Sequence, residues 1–423
     1  MSTDISSAPA LSGQQRRCHL LLMLFAPTPK PKVQLETISQ INGVGQSVTR
    51  QDIAEVATEI QRLYHLKISS SAEDTLQIQG SALNQRLCLF QWLRRTLRCS
   101  PQFVEQNFAL RYQQALSLNQ VQIATLELCI NECEQQLNRH FSQRDRQFLY
   151  HYLCYCVWAR QHQPPLHFDQ TQRQWLRRKP EQRAAAKLQQ TLSQSFDFHA
   201  NIREGNFLTL MFTLLKNHSY QTNGSPEDRR LMATIEKMVA YFQQISGMSF
   251  NSQEELNNQL FAHLAHALER CRFNIGVDNS VLEELLRKYP RLMRTTQKAL
   301  LPFEQEYEIH FSREEVGLLA ISFGAWMMQD NAVQETQILL LTRDNPQLEA
   351  KVEDQLRELT LLPLNIKYLP LSDYQRSGAP PGITVVITPY VSIPYGQHPP
   401  LMQTELPLTH QQRQVLCALL EKH

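Results

Sequence analysis

Helical periodicity over half of the chain is the feature that most restricts its fold. From about residue 119 to 331, apolar residues recur at spacings of three and four and β-branched runs are few. The pattern repeats after roughly 110 residues. One copy begins near Val121 and the next near Arg230. We therefore predict two sister helical domains, residues 118–224 and 225–332, and a mainly α fold.

Both copies share two landmarks. Each has a helix that ends in an arginine, Arg160 in the first copy and Arg270 in the second. Each then has a late apolar helix, Asn206 to Leu215 or Glu315 to Met328. The common order of elements supports the repeat.

Residues 15–117 predict a different kind of domain. An apolar run is followed by two helical segments, about Val33 to Ile41 and Ser47 to Leu63. Two strand-like pieces, Leu66 to Ser70 and Thr75 to Gln79, flank a polar turn. A helix, a helix–turn–helix and a hairpin in this order predict a winged helix-turn-helix. The small polar residues 1–14 before it are predicted to be disordered.

The second helix of that motif predicts contact with double-stranded DNA. Asn42-Gly43-Val44 supplies the turn, because glycine adopts the backbone conformation that a tight helix corner needs. The first residues of the second helix face base edges in the major groove, where Arg and Gln read guanine and adenine. The candidate DNA-binding residues are Gln46, Ser47, Thr49, Arg50 and Gln51.

An alternative stays open for this domain. Asp52, Glu55 and Glu59 on the same helix would repel phosphate if they faced it. The net charge of +2 over 423 residues also confines any nucleic-acid contact to one module. The domain can therefore be read instead as an interaction module without DNA contact.

After residue 330 the spacing of apolar residues changes, and the new pattern predicts a small α/β domain, residues 335–423. The apolar run at 337–342 predicts a buried strand, and Pro346 to Leu359 a helix. Asn365 to Leu369 and Ile383 to Thr388 predict further strands in a partly parallel sheet. A last amphipathic helix, Thr409 to Leu420, closes the chain.

The cysteines and the motif inventory favour a cytoplasmic protein that is not an enzyme. Nine cysteines, an odd number without a CxxC pair, indicate reduced thiols. Cys129, Cys133, Cys154 and Cys156 suggest soft-metal ligation at first, but core packing is the favoured interpretation. Phosphate-binding, nucleophile-elbow and zinc-protease motifs are missing, so we expect no catalytic residues, cofactor or metal. No apolar run is long enough to span a bilayer, and we expect no membrane contact.

His263 is the most informative residue of the second copy. On a helix, His263 and Arg270 lie seven residues apart and share a face. A phosphoryl-accepting histidine needs an exposed ring nitrogen, and a nearby guanidinium holds the product by charge-assisted hydrogen bonds. Arg272 is a further candidate donor. Without other information, a histidine with a purely structural role on an amphipathic helix is the favoured interpretation.

The sequence around His263 resembles a known domain. The pattern Leu-x-x-His-Leu-x-x-Ala-Leu-x-Arg at 260–270, followed by Phe311-Ser312-Arg313-Glu314-Glu315-Val316-Gly317 and the apolar helix after it, resembles the phosphotransferase regulation domain, or PRD. The resemblance implies a helical bundle that forms homodimers in transcription regulators. It also implies histidine phosphorylation by the phosphocarrier protein or by a sugar-specific transporter component of the phosphotransferase system.

The sequence departs from that family at three of four expected histidines. Ser322 occupies the second position of the second domain, and Leu153 and Met211 occupy the two positions of the first. His151 lies near Leu153 but on a different face. The α/β tail resembles a transporter-type B domain (EIIB-like), where Thr342 replaces the phosphocysteine. Two hypotheses follow: a DNA-binding regulator tuned through His263, or an interaction module that has kept only the architecture.

Overall fold

A computed structural model describes residues 10–27, 33–71, 74–216, 219–220, 225–330, 335–343, 345–361, 363–394, 396, 399–404 and 408–420. The chain divides into two compact units. The first runs to residue 216 and includes the segment 272–276, and the second holds the remainder. The predicted mainly α class with a small C-terminal α/β region is confirmed. The segment 1–14 falls outside the described residues as far as residue 9, and Gly13 already belongs to the first helix.

Within the described residues, the first unit opens with four helices and a small sheet. Its elements are α1 (Gly13–Phe25), β1 (Val33–Gln34), α2 (Leu35–Asn42), α3 (Gln46–Tyr64), β2 (Lys67–Ser70), β3 (Thr75–Gln79) and α4 (Ala82–Cys99). The strands pair antiparallel in the order β1-β3-β2. Ser12 starts α1 with a capping box, and Gly43 ends α2 at φ 63°, a left-handed conformation that favours glycine. The Gly43 cap sets the short corner between α2 and α3.

Three short helical segments between residues 101 and 115 and the helices of the first repeat complete this unit. They are α5 (Pro101–Phe103), a π-helical turn (Val104–Ala109), α6 (Leu110–Ala115), α7 (Gln120–Leu137), α8 (Gln143–His162), α9 (Gln170–Arg177), α10 (Gln182–Ser195) and α11 (Ile202–Leu215). One apolar core runs without a break from Cys18 in α1 to Leu214 in α11. The predicted border near residue 117 therefore lies inside a single core.

Where the structure describes the helical part of the second unit, it contains five helices. They are α12 (Pro226–Ser246), α13 (Gln253–Arg272), α14 (Leu282–Lys288), α15 (Pro290–Tyr307) and α16 (Arg313–Asp330). Ser225 starts α12 with a capping box and Gly247 ends it at φ 74°. Phe242 of α12 stacks on Phe323 of α16 with ring centroids 4.1 Å apart.

In the α/β region, the described residues form four strands and three helices. They are β4 (Thr336–Thr342), α17 (Pro346–Arg357), β5 (Leu364–Pro370), α18 (Leu371–Ser377), β6 (Val385–Thr388), β7 (Leu401–Gln403) and α19 (His410–Leu420). The strand order is β5-β4-β6-β7, and every pairing is parallel. Both faces of β4 are covered: Ile338 and Leu340 pack on one side, Leu339 and Leu341 on the other. This explains its unbroken apolar sequence. The short β7 and α18 were not predicted.

Candidate functional site: the leading turns of α3 and the His263 cluster

Four of the five candidate DNA-binding side chains lie on the surface at the start of α3. Gln46, Ser47, Arg50 and Gln51 are exposed. The predicted DNA contact of Thr49 does not agree with the structure, because its side chain is 0% exposed. Its hydroxyl lies 2.8 Å from that of Ser39 in α2, so Thr49 joins the two helices and is out of reach of a base. A helix has an inner face as well as an outer one, and sequence position alone did not assign this residue.

Arg50 is held by an acidic residue of the hairpin. Its Nη2 and Nη1 donate to the carboxylate of Asp74 at 3.0 and 3.4 Å. Both side chains are more than half exposed. Asp74 precedes β3 and has φ 52°. An exposed pair of this kind contributes little stability, and a stronger anion can compete for the guanidinium.

The three acidic residues of α3 that argued against DNA contact are each paired with an arginine. Asp52, 3% exposed, accepts from Arg16 of α1 at 2.8 Å. Arg17 of α1 pairs with Glu55. Arg95 of α4 donates to Glu59 at 2.9 Å. The repulsion that these carboxylates would exert on phosphate is therefore reduced by partners from neighbouring helices. Helical spacing could not show these pairs, because the partners lie 36 to 38 residues away in sequence.

His263 belongs to a three-residue cluster in the second unit. Its Nε2 lies 3.3 Å from Oε2 of Glu315, the third residue of α16. Arg270 donates to both oxygens of the same carboxylate, from Nε at 2.5 Å and from Nη2 at 3.0 Å. The Glu315 side chain is 3% exposed, whereas those of His263 and Arg270 are 24% and 21% exposed. The predicted shared face of His263 and Arg270 is thus observed. Glu315, which joins them, was not predicted as a site residue.

Glu315 carries a negative charge in this arrangement. Burial alone would raise its pKa, but the hydrogen bonds from His263 and Arg270 outweigh burial and bring the pKa below its ordinary value. The neutral His263 tautomer that donates from Nε2 keeps its lone pair on Nδ1. The cluster therefore contains a partly exposed imidazole, oriented by a carboxylate and flanked by a guanidinium.

Arg272 was predicted as a second phosphate-supporting residue, but it does not belong to this cluster. It follows His263 by nine positions on α13, which places it on the opposite face of the helix. Its guanidinium lies over the Trp175 ring, 5.3 Å from the centroid, within the first unit.

The residues that stand where the PRD family has histidines make structural contacts. Leu153 and Met211 are each 1% exposed in the core of the first repeat. The Ser322 hydroxyl donates to the carbonyl of Leu318, 3.2 Å away. His151 is 4% exposed, with Nε2 2.9 Å from Glu105. None of these contacts provides an exposed ring nitrogen.

The α/β region contains no cysteine at the position where a phosphocysteine is expected. Thr342 is the last residue of β4, and Cys417 lies on α19, in a different part of that region.

Among the described residues, no group of three or more His, Cys, Asp or Glu side chains is arranged to hold a metal. Cys129, Cys154 and Cys156 are buried, and burial raises the pKa of each thiol to about 12. No helix in the described ranges is both long and apolar enough to cross a membrane.

Two family models match this chain. Residues 336–420 match the C-terminal domain of the stationary phase-inducible protein CsiE, and residues 236–326 match the PRD domain. Over 98% of both chains, the sequence is 38% identical to the stationary phase-inducible protein CsiE of Escherichia coli strain K12. The chain belongs to the CsiE family. The expected resemblance to the PRD is confirmed for the second repeat, which contains the His263 cluster of this CsiE-family chain.

A second relative is a regulator. The chain is 22% identical over 339 residues to the transcriptional regulator ManR of Bacillus subtilis strain 168. The match covers 79% of this CsiE-family chain and 50% of ManR.

Proposed function

We propose that this chain is a PRD-containing transcription regulator of the cytoplasm, without catalytic activity, that binds double-stranded DNA through an N-terminal winged helix. The observation that carries the proposal is the start of α3. Four polar side chains are exposed there, Arg50 among them contacts Asp74 beside β3, and the acidic residues of the same helix are paired with arginines. The match to the transcriptional regulator ManR supports the same class. We assign residues 15–117 to the winged helix, 118–224 and 225–332 to two PRDs that form a homodimer, and 335–423 to an EIIB-like domain.

The base-contacting set under this proposal is Gln46, Ser47, Arg50 and Gln51. Arg50 offers a planar fork of donors that matches guanine, and the Gln side chains match adenine. In this arrangement Asp74 orients Arg50 in the free protein and releases it when DNA arrives.

His263 is the proposed phosphorylation site, and its donor is the phosphocarrier protein or a sugar-specific phosphotransferase component. Nδ1 of His263 attacks the phosphorus, a P–N bond forms, and the bond from phosphorus to the donor side chain breaks. Glu315 accepts a hydrogen bond from Nε2 and stabilises the ring as it gains positive charge. The new phosphoryl group carries about −1.5 to −2 charge, and it competes with Glu315 for Arg270. Phosphorylation therefore weakens the contact between α13 and the start of α16.

Genome-wide occupancy of tagged protein tests DNA binding. Discrete peaks are expected for the unchanged chain and are lost with Arg50→Ala. Arg62→Ala, which removes the same charge near the other end of α3, is the matched control and keeps the peaks. Peaks that survive Arg50→Ala, or an absence of peaks above background with folded protein, contradict the proposed reading surface.

Phosphoryl transfer in vitro tests the switch. Incubation with a radiolabelled, phosphorylated phosphocarrier protein is expected to place acid-labile phosphate on the chain. His263→Ala abolishes the label, whereas His266→Ala on the same helix retains it. Label that persists in His263→Ala assigns the phosphate elsewhere and overturns the proposed site.

A second candidate function is an interaction module that does not bind DNA. The observation that favours it is that Arg50 is already engaged by Asp74, and that Leu153, Met211 and Ser322 replace three histidines. No affinity for any genomic fragment at low salt, together with stable capture of another regulator, would select this function.

A further inference from the structure

Two cysteines from different helices meet in the first unit. Cys18 lies on α1 and Cys99 is the last residue of α4. Their sulfur atoms are 3.8 Å apart, with the Cys99 thiol donating to the sulfur of Cys18. Gln15, also on α1, donates from Nε2 to the carbonyl of Cys99 at 3.0 Å, which holds the two helices together at this point. A disulfide bond is about 2.05 Å long, so the sulfur atoms need to approach by less than roughly 2 Å.

We propose that Cys18 and Cys99 form a redox modification site that a peroxide converts from a thiol pair into a disulfide. The two thiols differ in access to solvent: Cys18 is 0% exposed, whereas Cys99 is partly exposed. The oxidant therefore meets Cys99 first. Burial also raises the pKa of Cys18 to about 12, so Cys18 is the less reactive thiol toward the oxidant and serves as the resolving thiol once its neighbour Cys99 is oxidised.

The reaction takes place in two balanced steps. The Cys99 thiolate attacks a peroxide oxygen, an S–O bond forms, the O–O bond breaks, and water leaves after protonation. The Cys18 sulfur then attacks the sulfur of the Cys99 sulfenic acid. The S–S bond forms, the S–O bond breaks, and the leaving hydroxide takes the Cys18 proton as a second water. Two thiols and one hydrogen peroxide become one disulfide and two waters.

The position of the pair gives the modification a structural consequence. Helix α1 also carries Arg16 and Arg17, which pair with Asp52 and Glu55 of α3. A covalent bond between α1 and α4 fixes the support on which α3 rests. The oxidised N-terminal part of the chain from α1 to α4, residues 13–99 (the head), is therefore expected to open less often, which slows amide hydrogen exchange in α1 and α4. This inference is independent of DNA binding.

The experiment uses the full chain, treated with hydrogen peroxide, quenched with an alkylating agent and digested without reductant. Mass spectrometry is expected to find a Cys18–Cys99 cross-linked peptide, with an intact-mass loss of about 2 Da that dithiothreitol reverses. Cys88→Ala, which removes a buried thiol from the same helix, is the matched control and keeps the cross-link. In Cys18→Ala the cross-link disappears, and Cys99 accumulates as a sulfenic acid that dimedone labels.

Two results would overturn the proposal. One is a folded, peroxide-treated chain in which both Cys18 and Cys99 remain alkylatable thiols. The other is a cross-link that forms only after the far-ultraviolet circular dichroism of the chain is lost, because the pair would then react only in the unfolded protein.

Discussion

Arg86 and Glu204 form a bidentate ion pair, and the side chains of both residues are buried. The nitrogen–oxygen distances are 2.6 and 3.1 Å, and the side chains are 1% and 4% exposed. Arg86 lies on α4 of the head and Glu204 on α11 of the first repeat. The Tyr152 hydroxyl donates to the Arg86 carbonyl at 2.6 Å, and the Phe207 ring lies under the guanidinium. This ion pair therefore joins α4 to α11 inside the core of the first unit.

Glu204 corresponds to the carboxylate of the second repeat. Glu204 follows the Asn201 cap of α11 by three residues, as Glu315 follows Ser312 before α16. In the second repeat this carboxylate contacts His263 and Arg270. In the first repeat it contacts Arg86. The same position therefore serves a candidate switch in one repeat and a fixed domain junction in the other.

We predict that Arg86→Ala destabilises the first unit by about 3–5 kcal/mol, because Glu204 is left as an unpaired buried charge. Urea unfolding followed by tryptophan fluorescence measures the change. Arg98→Ala, at an exposed position near the end of α4, is the control and is expected to stay within about 0.5 kcal/mol.

We predict that the double variant Arg86→Met with Glu204→Leu is more stable than Arg86→Ala. It leaves neither charge unpaired, and apolar side chains of similar volume often replace a buried ion pair without a large cost. A double variant as unstable as the sum of its two single variants would show that the two residues do not act as a pair.

Sequence patterns predicted the elements better than the contacts between them. The helices of both repeats, the hairpin and the buried β4 follow from local periodicity, and the structure contains them. The short β7 has only three residues, too few for a period. Thr49, Glu315 and Arg86 were missed or misassigned because their roles depend on partners on other helices. Arg86 meets Glu204 at a separation of 118 residues, which no local spacing can indicate.

We predict that Asp74→Asn strengthens DNA binding by roughly three- to tenfold. The change removes the carboxylate that holds Arg50 and one negative charge near phosphate. Asparagine tolerates the φ of 52° at this position, so the turn is kept. The DNA affinity is measured by fluorescence anisotropy with a bound genomic fragment at two salt concentrations. The combination with Arg50→Ala is the control, and an equal gain in that background would assign the effect to general charge alone.

We predict that Gly276→Ala destabilises the first unit by about 1–3 kcal/mol. The Gly276 amide donates to the Leu63 carbonyl at 2.8 Å. A Cβ at position 276 would lie 2.9 Å from Cα of Leu63, and backbone cannot move aside as a side-chain end can. Gly13→Ala, whose Cβ meets only arginine side chains at 3.6 Å or more, is the control for urea unfolding. Equal stability of the two variants would contradict the close approach.

Acid is predicted to destabilise the head through His19. This buried ring stacks on Phe103, and its Nδ1 lies 3.0 Å from Oδ1 of Asn42. Asn42 donates from Nδ2 to the Arg16 carbonyl, so its Oδ1 accepts and Nδ1 of His19 carries the proton. The remaining nitrogen, Nε2, is buried and has no hydrogen-bond partner within the described part of the chain. Burial consequently lowers the pKa of His19 below its ordinary value of 6.5, against the smaller raising effect of Asn42.

The direction of the pH dependence follows from that shift. Between pH 6.5 and the lower pKa of the folded state, the unfolded chain binds the His19 proton more fully than the folded chain does, so stability falls as the pH drops, by up to about 1.4 kcal/mol per pH unit. Urea unfolding at pH 7.5 and 5.5 measures the loss. His19→Phe keeps the stacked ring without a titratable nitrogen and is expected to reduce this loss. His65→Asn, at an exposed helix end with φ 55°, is the control and is expected to leave it unchanged. If His19→Phe loses as much stability on acidification as the unchanged chain, another group is responsible.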